Sequence, residues 1–542
     1  MPMSGLMLAI QNREGEGSVI HRLLAVVISS TGLIGCGESG SPACVNEPPG
    51  SLITNVEVID GSGSAAFSAS VRISDGLIAD IGDLAPCDRE TVVDGGGHTL
   101  GPGFIDTHSH ADTLIFEHPD ALSAVSQGIT TVVVGQDGDS PYPLAEFYSH
   151  LENAPATVNV ASYTGHNTIR ELVLGEDFRR AATADEIEEM QKLLVSELAS
   201  GSLGLATGLE YDPGIYSVAD EVLALARVAA AAGGRYISHI RSEDRWFESA
   251  IDEIILIGRE TGMPVQISHI KLAMKRLWGR ADETLKKLDA ARSEGVQITA
   301  DIYPYEYWQS TMMVMLPERD YTDRDAIAEV LDQLAPPEGM WMTRFDPQPE
   351  YVGKSLTEIA ALRETDTVSA FSQLAEEADL MRQRTGERAE AIIGTSMTEA
   401  DIGKLMSWSE TNICTDGGLA DLHPRGIGSF PRVLGRYVRE QKLMTLEAAV
   451  HKMSGLSAAH MGFTDRGLIR RGAVADLVLF DPDTVIDHAT PNDSSRLSEG
   501  ITSVWVAGEL VFKNGSTTEA RPGQIVRRKP SAYSHQQAEP FV

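Results

Sequence analysis

Cysteine is scarce in this 542-residue chain: four occur, Cys36, Cys44, Cys87 and Cys414. No two stand as Cys-x-x-Cys, which argues against a thiolate zinc cluster. Positive charge is also short, with 44 Lys and Arg against 78 Asp and Glu and a formal charge of −34. Nucleic acid would be repelled by such a surface, and so would binding to an anionic membrane through basic patches. The acid excess is read as a well-solvated exterior. No Gly-x-Gly-x-x-Gly opens a helix, which speaks against a dinucleotide fold. No serine occupies a Gly-x-Ser-x-Gly elbow and no Cys/His nucleophile pattern is evident, so a covalent route is disfavoured.

What is present begins with an export-like segment. His21-Arg22 precedes the apolar run Leu23–Ile28, which is too brief to span a bilayer as a stable helix. Leu33-Ile34-Gly35-Cys36 follows and resembles a bacterial lipobox, in which the cysteine is lipidated and becomes the new N-terminus. Residues 1–36 are therefore expected to be a lipoprotein-type signal and 37–50 a flexible tether. The chain would be exported and lipid-anchored to a bacterial membrane, facing the periplasm or the outside. In that oxidising setting Cys44 and Cys87 could pair or stay apart.

Two textures divide the remainder. Residues 51–100 alternate around Asp-Gly and Gly-rich turns, and the same strand-like texture returns in 463–525, so both ends are expected to build one small β-sandwich. Between them, 101–462 alternates strands and helices. Thr183-Ala-Asp-Glu186 is a capping box, and Ile187, Met190, Leu194 and Leu198 follow at helical spacing. Helices over 221–232, 249–260 and 282–294 each lead into a strand. Such repetition predicts a (β/α)8 TIM-type barrel. Residues 306–390 are too long for a simple connection and are expected to form a lid over the mouth.

The polar residues fall at strand ends. Gly101-Pro-Gly-Phe-Ile-Asp106-Thr-His108-Ser-His110 puts two imidazoles on one face of a strand. Asp137, Glu210, His239, His269 and Asp416 each close another predicted strand, on the face where barrel enzymes keep their chemistry. Four histidines and an aspartate in that succession point to a divalent metal.

These motifs, with Ile267-Ser-His-Ile-Lys271, Asp301-Ile-Tyr-Pro-Tyr305, His423-Pro-Arg425 and Phe430-Pro-Arg-Val-Leu-Gly-Arg-Tyr437, resemble the D-aminoacylases (N-acyl-D-amino-acid deacylases) of the amidohydrolase superfamily. The resemblance spans about 50–525 and implies a metal-bearing barrel with zinc, about two ions per chain. One departure stands out. The best-known D-aminoacylases carry a metal-binding cysteine after the second strand, where this chain reads Val134-Gly-Gln136-Asp137-Gly138. Two cations held close together need an anionic bridge. Glu210 is expected to supply it, with His108 and His110 on one zinc and His239 and His269 on the other; the other reading is that Glu210 only orients a ligand from behind. Asp137 is the alternative ligand, or a support from behind one.

A metal-bound water brought near neutrality would supply hydroxide to an amide carbonyl, and Asp416 would act as general base and then general acid toward the departing nitrogen. By resemblance, Lys271, Tyr303 and Arg425 would hold the substrate carboxylate. The expected substrate is an N-acyl-D-amino acid. The alternatives are a related amidase, dipeptidase or cyclic-amide hydrolase for another carboxylate-bearing substrate, and, from another class, an inactive ligand-binding lipoprotein.

Overall fold

The computed structural model describes residues 50–529 except Asp421. The expected signal, tether residues 37–49, Cys36 and Cys44 lie outside the described residues. Cys87 is disulfide-bonded, and Cys414 is free and buried.

Eight parallel strands form the barrel: Phe104–Asp106, Ile129–Val134, Asn159–Ser162, Gly204–Gly208, Arg235–His239, Val265–Ile267, Ile298–Ile302 and Thr411–Ile413. Adjacent pairs register in parallel. Leu203 N–H donating to Ser162 O joins the third strand to the fourth. The ring closes between the eighth and the first, where Asp416 N–H donates to His108 O at 2.8 Å and His110 N–H to Gly417 O at 2.9 Å. Strand interiors are nearly continuous runs of buried residues, as parallel strands covered on both faces require. The helices follow the sequence pattern closely. Ala184–Ala199 carries the capping box of Thr183 and Glu186 and buries Met190, Leu194 and Leu198.

Both ends of the described chain share one mixed sheet of nine strands. Leu477–Phe480, from the C-terminal segment, pairs antiparallel with Thr99–Pro102, which pairs in turn with Ser51–Val58. The sheet carries its own core, in which Ile53, Val58, Val71 and Leu100 meet Leu477, Leu479 and Trp505. The segment Thr502–Phe512, one continuous texture in sequence, is a hairpin of Ile501–Val506 and Glu509–Lys513 turning at Ala507-Gly508.

After the seventh barrel strand the chain builds a small α/β unit before returning. Tyr307–Ser310, Met340–Phe345 and Glu390–Thr395 form an antiparallel sheet, with the helices Arg324–Gln333, Leu356–Leu362 and Thr367–Thr385 between them. It runs a few residues past the expected 306–390 and meets the barrel loops at several places, among them Arg245 Nη1 donating to Met315 O. Arg319 donates to Asp212 Oδ1 at 2.9 Å and to Glu210 O at 3.0 Å, and Arg388 lies 3.4 Å from Asp139.

Candidate metal centre

At the C-terminal ends of the barrel strands the backbone turns sharply to aim side chains inward. Asp137, His269 and Asp416 all adopt positive φ, of 55°, 34° and 50°. Non-glycine residues rarely do so, and such strain concentrates at working sites. Gly208 permits the tight fit on one side, since a Cβ there would lie 1.8 Å from Asp137 O. Asp106 locks the first strand to the eighth. Its buried carboxylate accepts from Thr415 N–H at 2.8 Å and Thr415 Oγ1 at 2.5 Å, which fixes His108 and His110 against Asp416.

Asp137 stands at the middle of the cluster. Its Oδ1 lies 3.3 Å from both His108 Nε2 and His269 Nε2, and its Oδ2 lies 3.5 Å from His110 Nε2. Asp416 Oδ1 lies 3.6 Å from His108 Nε2 and 3.3 Å from His110 Nε2, while Oδ2 accepts from Arg425 Nη1 at 2.5 Å. Burial disfavours charge on Asp416, but Arg425, His269 and His108 outweigh it and hold the carboxyl well below its usual range. Asp137 is held low in the same way, against burial, by His108 and His269.

The donor set fits a cation. His108 is fully buried, and neither ring nitrogen has a hydrogen-bond partner among the described residues. His239 Nδ1 and His269 Nε2 face each other at 3.1 Å. Behind them, His239 Nε2 meets Glu210 Oε2 at 3.0 Å and His269 Nδ1 meets Glu243 Oε1 at 2.9 Å. Protons on those outer nitrogens leave lone pairs on both facing ones, a repulsive arrangement that a metal ion between the rings relieves. His108, Asp137, His269 and Asp416 could together hold an ion, and so could His239, Glu243 and His269.

Comparison with known proteins agrees. The amidohydrolase family pattern matches residues 91–512. An N-acyl-D-glutamate deacylase of Alcaligenes xylosoxydans xylosoxydans is 39% identical over 500 residues, covering 88% of this chain and 96% of its own. The D-aminoacylase of the same organism is 35% identical over 508 residues, 89% of this chain and 98% of its own. The chain belongs to the amidohydrolase family, on its D-aminoacylase branch. Among solved structures, the N-acyl-D-glutamate deacylase of Bordetella bronchiseptica, complexed with zinc and a phosphonate mimic of the tetrahedral intermediate, superposes with a TM-score of 0.79 at 37% identity. It covers 89% of this chain and 100% of its own. As a member of that branch, this amidohydrolase hydrolyses amide C–N bonds.

Every metal and catalytic residue expected from the sequence converges on one site in the amidohydrolase, but two acids exchange places. Glu210 does not stand between the histidine pairs. It lies behind His239 and accepts Glu243 N–H at 2.9 Å through its other oxygen. The acid within reach of both pairs is Asp137. The physical reason is local: the fourth strand ends at Gly208, so Glu210 sits one turn beyond the inward face.

Tyr303, Lys271 and Arg425 also come together. Lys271 Nζ lies 5.6 Å and the Arg425 guanidinium carbon 4.9 Å from the Tyr303 ring centre, and the buried Tyr303 hydroxyl has no hydrogen-bond partner among the described residues. Both cations already touch acids of the centre, Lys271 on Glu243 and Arg425 on Asp416.

Sequence reasoning missed Glu243 and gave Asp301 no role. Asp301 is fully buried and accepts from His269 N–H and Gln266 Nε2, each at 2.6 Å, so it fixes the sixth strand's turn to the seventh strand. Its place at the end of the predicted seventh strand was the available signal. Glu243 had none, since it stands in an irregular loop.

Proposed function

We propose that this amidohydrolase is a zinc-dependent N-acyl-D-amino-acid deacylase. The observation that carries the reading is the adjacency of the histidine–carboxylate cluster to the unpartnered Tyr303 hydroxyl, flanked by Lys271 and Arg425. A metal centre and a carboxylate anchor side by side suit a substrate whose amide lies one carbon from a carboxylate. The relatives that act on N-acyl-D-amino acids supply the stereochemistry.

His108 and His110 would hold one zinc and His239 and His269 the other, with Asp137 within reach of both pairs and Glu210 steadying His239 from behind. Zinc bound there would supply a water acidified toward neutrality and a Lewis acid for the amide carbonyl. Asp416, kept anionic by Arg425, removes the proton from the attacking water. It then delivers that proton to the amide nitrogen, which leaves as an amine once protonated. Water oxygen bonds to the acyl carbon, the C–N bond breaks, and a carboxylic acid and a D-amino acid result. Tyr303 donates to the α-carboxylate between the two cations and so fixes the amide over Asp416.

Zinc-loaded protein assayed on matched N-acetyl-D- and N-acetyl-L-amino acids tests the reading. Turnover of the D set is expected. Turnover of the L set alone, or of cyclic amides alone, would overturn it. The same proposal places the mature chain on a lipid anchor at Cys36, so Cys36→Ser should move activity from the membrane fraction to the soluble one. Unchanged partition would refute the anchor.

A further inference from the structure

Glu243 lies four residues beyond His239, on the loop after the fifth barrel strand, and is 8% exposed. Its Oε1 accepts from Lys271 Nζ at 2.6 Å and lies 2.9 Å from His269 Nδ1, and its Oε2 lies 4.0 Å from His239 Nε2. Lys271 Nζ itself lies 2.7 Å from His269 Nδ1. This crowding allows two arrangements of protons. In one, the lysine donates to Nδ1, so the imidazole proton sits on Nε2 and points at Asp137 and His239, which closes that nitrogen to a metal. In the other, Nδ1–H and Lys271 both donate to Glu243, and the Nε2 lone pair faces the centre. Only the second makes His269 a ligand.

We infer that Glu243 is a positioning residue that selects the metal-binding tautomer of His269 by accepting from its Nδ1 and from Lys271 together. The inference rests on the proposed zinc centre. A structural ion pair with Lys271 would have a different requirement, namely neutralising one buried charge, and the two roles separate in a double variant.

The experiment measures the zinc affinity of the full chain by competition with a chromophoric chelator, with circular dichroism to confirm folding. Glu243→Met should weaken one of the two zinc equivalents by about 10–100-fold, the usual effect of removing a carboxylate behind a metal-bound histidine. Lys271→Met should leave zinc affinity unchanged while raising KM. The Glu243→Met, Lys271→Met double variant should keep the loss, because Nδ1 still has no acceptor behind it. Wild-type affinity in Glu243→Met, or recovery in the double variant, would overturn the inference. If Glu243→Met fails to fold, Glu243→Asp keeps the charge but withdraws it from Nδ1, and wild-type affinity there would overturn it equally. A wild-type protein that binds no zinc would overturn the parent reading, and this one with it.

Discussion

The two halves of the histidine cluster use the same residue types and differ in where the carboxylates stand. Around His239 and His269 the acids Glu210 and Glu243 sit behind the rings and hold their outer nitrogens at 3.0 and 2.9 Å. Around His108 and His110 the acids Asp137 and Asp416 sit in front, on the side where a metal and substrate would lie. The second half is enclosed, with the His239 side chain 4% exposed, whereas that of His110 is 32% exposed. Carboxylates behind imidazoles pre-orient ligands and raise their basicity, so the second half is built to retain an ion. Of the carboxylates in front, Asp416 faces the side where substrate would lie and can take up a proton there, so the first half is built for chemistry.

The largest effect expected from this division is at Asp416. Asp416→Asn keeps the shape but removes the base, and kcat should fall by roughly 10²–10⁴-fold with KM little changed. Steady-state kinetics on an N-acyl-D-amino acid checks this. A variant retaining wild-type kcat would return the proton transfer to another acid. Next comes the contrast between the two exchanged acids. Asp137→Ala should leave fewer than two zinc ions per chain, counted by elemental analysis after dialysis. Glu210→Ala should still bind two at saturating zinc, with about 10–100-fold weaker affinity for one of them. The opposite result would restore Glu210 as the bridge.

Why the sequence exposed one half better than the other follows from the same geometry. His239 closes a regular strand, and His108, His110 and His269 follow within four residues of one, so strand order alone brings them to one end of the barrel. Barrel order and the capping box of Thr183 and Glu186 were legible for the same reason, since they depend on local spacing. Asp137 and Glu210 lie on turns whose direction depends on positive φ at Asp137 and on the close approach of Gly208, which no periodicity encodes. Glu243 meets His269 and Lys271 only once the fifth and sixth strands lie side by side. The terminal sheet was visible as texture, but its joining of residues some 375 positions apart, Leu477 to Pro102, was a guess from composition that only pairing could decide.

The next contrast concerns Tyr303, whose hydroxyl serves substrate and not metal in this scheme. Tyr303→Phe removes a donor to a carboxylate, a bond worth about 1.5–3 kcal/mol, so KM should rise roughly 10–100-fold while zinc content stays at two. Loss of zinc in that variant would move Tyr303 into the metal centre.

The smallest expected effect separates two of the ties between the inserted α/β unit and the barrel. Arg319 is 11% exposed and reaches Asp212 Oδ1, Glu210 O, Met313 O and Leu316 O, so it braces the loop that carries Glu210. Its removal strands Asp212 without its cation, and Arg319→Ala should cost on the order of 3 kcal/mol in urea unfolding. Zinc affinity should fall with it, because Glu210 loses its anchor behind His239. Arg388 meets Asp139, two residues past Asp137, but the side chains are 69% and 61% exposed at 3.4 Å. A solvated pair of that kind pins neither partner, since water and salt replace the contact at little cost. Arg388→Ala should therefore leave unfolding, zinc affinity and kcat unchanged. A drop in zinc content with Arg388→Ala would show that the inserted unit braces both halves, and the division between a retained and a working half would fail.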